Sequence, residues 1–184
     1  MKEPTMNKKS LYFKPTLWHG VVFFIAIQAI SAASGIPSRE VLFDGFIKAP
    51  LTPPGWVFGV VWTTLVILQI WALGRVLGQP KLPQRKTLLA LQGVMWALYL
   101  SFTPLYFGLG SPILGFSVVV AYWLAAGASL ALLWPNNRKT ALLLLPLALW
   151  LSWALYLSAY GALYNPDPFW GTKALMGFCL EPLC

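Results

Sequence analysis

The stretch Pro53-Pro54-Gly55-Trp56-Val57-Phe58-Gly59-Val60-Val61-Trp62-Thr63-Thr64-Leu65-Val66-Ile67-Leu68-Gln69-Ile70-Trp71-Ala72-Leu73-Gly74-Arg75-Val76-Leu77 carries one formal charge, Arg75, close to its end. A proline pair cannot continue a helix inward but suits its first turn. The apolar run behind it, residues 56–77, is long enough as a helix to cross the roughly 30 Å hydrocarbon core of a bilayer. Arg75 sits where its long stem can snorkel to the interface. Trp56 and Phe58 then stand at the mouth of a membrane span. The plain reading of the pair is an interfacial anchor on a rigid turn.

Working outward, four more apolar runs of similar length occur at 17–34, 87–107, 113–134 and 141–163. The composition agrees. Hydrophobic residues make up 58% of the 184 and charged residues 10%, against about 45–50% and about 25% in soluble chains. Mean hydropathy is +0.68. Too little polar side chain exists to cover a water-facing surface, which excludes a soluble enzyme and a disordered chain. The predicted fold is all-α, an integral membrane bundle of five transmembrane helices at 17–164, between a basic segment 1–16 and a tail 165–184.

The breaks are marked by turn residues: Gly108 to Pro112, Pro135 to Lys139, and Gln79 to Lys86 with two prolines and three bases. Residues 35–55 differ. This connection mixes Pro37, Pro50, Pro53 and Pro54 with Phe43, Phe46 and Leu51. An exposed loop is normally more polar, so it reads as a lid packed over something.

The net charge of +8 reflects topology rather than nucleic acid, because no basic face interleaved with aromatics is present. Lys2, Lys8, Lys9, Lys14, Arg75, Lys81, Arg85, Lys86, Arg138 and Lys139 fall on one side of five spans. Arg39, Lys48 and Lys173 fall on the other, with four of the five acids. Positive-inside places the N-terminus in the cytoplasm and the C-terminus outside. A cleaved signal peptide ending near Ser31-Ala32-Ala33-Ser34 is the rival to a retained first span. Cys179 and Cys184 form no metal or redox motif. If the tail lies in an oxidising compartment, they are candidates for a small disulfide.

No catalytic set is visible, no ionisable residue lies mid-span, and nothing calls for a metal or a cofactor. The notable feature is aromatic. Pro146, Trp150, Trp153, Leu157, Tyr160 and Tyr164 recur at spacings of 4 and 3, one stripe of a helix. Lipid contact or an interfacial belt explains the two tyrosines. Trp150 and Trp153 lie nearer mid-depth, and an aromatic-lined cavity for a flat, apolar ligand suits them better. A second stripe, Ala148, Ser152, Ala159 and Ala162, is small, as is Gly93-x-x-x-Ala97. Both suit close helix packing, within the bundle or between two copies.

The run from Pro53 to Trp62, preceded by Lys48-Ala49-Pro50, resembles the hallmark of the tryptophan-rich sensory protein/translocator protein (TspO/MBR) family. Phe102-Thr103-Pro104-Leu105-Tyr106-Phe107-Gly108 echoes its third-helix motif, and Pro146-Leu147-Ala148-Leu149-Trp150 its fifth. The resemblance implies a five-helix bundle, often dimeric, that binds porphyrins and similar flat apolar molecules beneath the first loop. It carries ligand contact onto Trp56, Phe58, Phe102 and Trp150. Trp153 joins them from the stripe, and Phe43 from the loop. Tyr99 and Ser158 stand where the family has asparagines, and Phe102 where it usually has Trp, so the pocket lining is altered. The family's steroid-contact pattern needs Lys or Arg soon after a Tyr of the fifth helix and is missing after Tyr160. The implied role is a membrane receptor, sensor or carrier for tetrapyrroles, in contact with lipid and without nucleic acid. Light- and oxygen-dependent porphyrin breakdown is the enzymatic alternative, and a structural or partner-binding protein the third.

Overall fold

The computed structural model describes residues 17–33 and 46–176. Five helices follow one another: α1 (Leu17–Ala33), α2 (Gly55–Leu77), α3 (Arg85–Thr103), α4 (Pro112–Leu133) and α5 (Arg138–Tyr164). The last four are long and apolar enough to span a membrane, α3 together with the π-helical turn Pro104–Gly108 that extends it. α1 is apolar but shorter. Each helix end lies within three residues of the run that predicted it, α3 being counted with its π-helical extension to Gly108, because turn residues punctuate the apolar segments.

The helices form a closed ring in the order α1, α2, α5, α4, α3, with α2 also touching α3 across it. The α4–α5 seam is the most extensive. Ala125 and Ala126 on α4 and Ala141 on α5 are buried in the core beside Leu144, Leu147 and Leu151. Lipid tails are as apolar as leucine, so close backbone approach supplies packing that hydrophobicity cannot supply in a bilayer. The predicted Gly93/Ala97 pair is not used this way. Both residues face outward, and a Cβ on Gly93 would meet nothing.

The end opposite the lid is tied by polar side chains. The Arg75 Nε donates to Thr140 Oγ1 at 3.0 Å, joining α2 to α5. Arg85 donates from Nε and Nη2 to the Val76 and Leu77 carbonyls at 3.2 and 3.1 Å. Those are acceptors that a helix C-terminus leaves free.

At the lid end the tail folds back. Asp167 is buried. Its Oδ2 accepts from Ser111 Oγ at 2.6 Å and Ile113 N at 3.0 Å, and its Oδ1 from Trp170 N at 3.1 Å. Ser111 in turn accepts from Leu114 N at 3.1 Å as the N-cap of α4. A carboxylate at a helix N-terminus meets both the orphan donors and the favourable end of the dipole.

Candidate functional site

The site grows from the lid downward. Residues 46–54 are held to the far end of α5 at two points. Asn165 Oδ1 accepts from Ile47 N at 2.6 Å, and its Nδ2 donates to the Ile47 and Gly161 carbonyls, each at 3.0 Å. Tyr156 Oη donates to the Pro50 carbonyl at 3.2 Å. Between these ties and α2, Leu51 takes φ 64°, a left-handed conformation that costs a branched side chain and persists only where surroundings impose it.

Next to this segment, α2 and α5 flank an open cleft of about 600 Å³, within the 300–1,000 Å³ range of small-molecule sites, with Val60, Leu149 and Trp153 exposed along it. Pro53, Val60 and Thr64 line one wall; Pro146, Trp150 and Trp153 line the other. The α5 stripe read from spacing therefore faces α2 and this cleft. Trp150 meets Phe58 edge to face at 5.7 Å. Its indole N–H is buried without a hydrogen-bond partner in the protein. Trp153, 40% exposed, meets Tyr156 at 6.4 Å. The cleft thus offers flat, almost wholly apolar faces. Among the described residues, no three His, Cys, Asp or Glu side chains gather as they would around a metal.

The remaining candidates fall elsewhere. Trp56 is 72% exposed and outside the cleft lining. It lies two residues before Phe58, on the side of α2 roughly opposite the face that Phe58 and Trp62 share. Phe102 stacks on Tyr106 at 5.3 Å, where the π-helical turn re-aims the ring. Tyr99 donates to Gln28 Oε1 at 3.0 Å, joining α3 to α1. Ser158 donates to its own helix at the Leu155 carbonyl, 3.2 Å away. Phe43 lies outside the described residues, as do Cys179 and Cys184. So Trp150 and Trp153 line the α2–α5 cleft and Phe58 touches it only through Trp150, while Tyr99 and Phe102 belong to aromatic clusters on α3.

The cluster around Tyr99 contains residues the sequence reading did not select. Trp62 lies against Tyr99 at 5.6 Å and stacks on Tyr122 at 6.3 Å. Tyr122 Oη donates to Gln69 Oε1 at 2.6 Å. Trp62 was within reach, being the last residue of the Pro53–Trp62 run. Gln69 is an amide inside an apolar span and marks itself as costly there. Asn165 carried no such signal, since its partner lies 118 residues away.

Residues 19–163 match the model of the TspO/MBR family. Protein CrtK of Rhodobacter capsulatus is 31% identical over 135 residues, 71% of this chain and 82% of the relative. The tryptophan-rich protein TspO of Chlorobaculum tepidum is 31% identical over 125 residues, 67% of this chain and 79% of the relative. The tryptophan-rich sensory protein of Cereibacter sphaeroides is 25% identical over 130 residues, 71% and 80% of the two chains. The family match takes in nearly all of the five apolar helices, and the chain is a multi-pass integral membrane protein that belongs to the TspO/MBR family.

Proposed function

We propose that the protein is a membrane receptor that takes up flat, apolar molecules of the porphyrin class in the α2–α5 cleft beneath the lid. The observation that carries this is Trp150, a large aromatic face on the cleft wall. A flat ligand stacks on such a face. Residues 46–54, tied to α5 at Ile47 and Pro50, add Pro53 to the cleft lining, which supports reading them as its cover. A sensory role in the name of the Cereibacter sphaeroides relative supports reading the uptake as a signal.

The test is a titration of the purified protein with protoporphyrin, in the dark and in light. Aromatic contacts are worth about 0.5–1.5 kcal/mol beyond the area they bury, and burying a large side chain adds about 1.5–3 kcal/mol. Trp150→Ala therefore lowers affinity by roughly tenfold or more, since 1.4 kcal/mol is that factor. Trp134→Ala leaves it unchanged, because Trp134 lies at the far end of α4 with Arg138 over its ring at 5.9 Å. Saturable quenching in the dark without product supports a receptor. New absorbing products under illumination would move the reading to an enzyme. No quenching at all would leave a structural or partner-binding protein.

A further inference from the structure

The half of the bundle remote from the lid contains a polar seam that the cleft does not use. α2 and α3 are antiparallel neighbours joined by residues 78–84, and their facing residues keep step. Trp62 meets Tyr99 at 5.6 Å. One turn closer to the connection, Val66 packs with Trp96. The next turn in the same register sets Gln69 opposite Gln92. Both glutamines are fully buried, 1% and 2% exposed.

Three polar atoms on this seam have no hydrogen-bond partner in the protein: Gln69 Nε2, Gln92 Oε1 and Trp96 Nε1. Trp96 is itself buried and lies one turn from Gln92 on the same face of α3. Gln69 Oε1 is already engaged by Tyr122 Oη at 2.6 Å, which fixes the amide with its nitrogen unpaired. Each buried group left without a partner is costly, and a bilayer supplies no solvent to relieve it. The two glutamine atoms are complementary yet not bonded to each other. What suits them is a small neutral group between the helices that accepts from two N–H donors and donates to one oxygen. An ion does not suit them, because none of the three side chains carries charge.

We propose that Gln69, Gln92 and Trp96 bind a buried water that bridges α2 and α3. It accepts from Gln69 Nε2 and Trp96 Nε1 and donates to Gln92 Oε1, and three bonds are usual for an internal water. Through Gln69 the bridge reaches Tyr122 on α4, so three helices are pinned at one depth. This site is separate from the cleft and stands whether or not porphyrin binds.

The experiment uses the full chain in lipid nanodiscs with nitrogen-15-labelled tryptophan. Magnetisation transfer from water to the Trp96 indole N–H is measured, with the peak assigned from its loss in Trp96→Phe. Trp123, whose indole donates to Ser152 Oγ at 2.9 Å, is the internal reference. Wild type shows transfer at Trp96, and the double variant Gln69→Met/Gln92→Met shows it at least about threefold weaker, since a water with one partner left is poorly held. Either single change lowers the melting midpoint, and the double is no worse than the worse single, as for groups sharing one partner. Absence of transfer at the assigned Trp96 peak of the wild type overturns the proposal. So do two single changes that each raise the midpoint additively, the behaviour of dry, unpartnered atoms.

Discussion

Gly115 on α4 is small because the ring of Tyr106 occupies the place where a Cβ would stand. The π-helical turn sends Tyr106 there, and Phe102 stacks on its other side. Gly115→Ala forces that ring out of a packed position, and overpacking of this kind costs about 1–3 kcal/mol. The thermal midpoint in detergent should fall, while Gly93→Ala, with open space around it, leaves it unchanged or slightly higher. Trp56 and Trp150 separate in the same way. Trp56→Ala should lower protoporphyrin affinity less than Trp150→Ala does, because that side chain is exposed and outside the cleft lining, and parallel titrations read the difference. Spacing along one helix made the Trp150 stripe legible, because it fixes which residues share a face. It does not say which neighbour that face meets, and the sequence holds no sign that α2 sits beside α5. The division of the expected pocket into a cleft and separate aromatic clusters follows from that ring order.

At the scale of elements, the helices were legible from apolar length and turn residues alone. The segment after α5 was not. Pro166-Asp167-Pro168 has the composition of a turn, but the helix it serves begins 56 residues earlier. A cap supplied across the fold leaves no local pattern. Asp167→Ala removes one acceptor oxygen shared by Ser111 and Ile113 and another used by Trp170. Hydrogen bonds to charged groups are worth about 1.5–3 kcal/mol each, so a loss of at least about 2 kcal/mol is expected, read as a lower denaturation midpoint. Asp167→Asn, which keeps an acceptor, should recover part of it. Asn165 does for the lid what Asp167 does for α4. Asn165→Ala should raise amide exchange at Ile47 by tenfold or more, given about 0.5–1.5 kcal/mol for each of the lost bonds. The global melting midpoint should move little by comparison.

For the whole molecule, a count of ten of thirteen bases on one side of five spans predicts an orientation with the N-terminus in the cytoplasm. A reporter fused after residue 184 should be active only when the reporter works outside the cytoplasm, and one fused in the 78–84 connection only when it works inside. The same charges have a second consequence through the length of α5. Its 27 residues rise about 40 Å, some 10 Å beyond a typical hydrocarbon core. Arg138 and Lys139 pin its first turn to a headgroup layer, so the surplus emerges at the other face, where Asn165 and Tyr156 receive the lid. α2, at 23 residues, rises about 35 Å and has about half that surplus. A thicker membrane therefore wets less of α5 and lets it stand upright, and a thinner one tilts it relative to α2. The width of the cleft between them becomes a function of acyl-chain length, and the lipid around the protein a determinant of what it can hold.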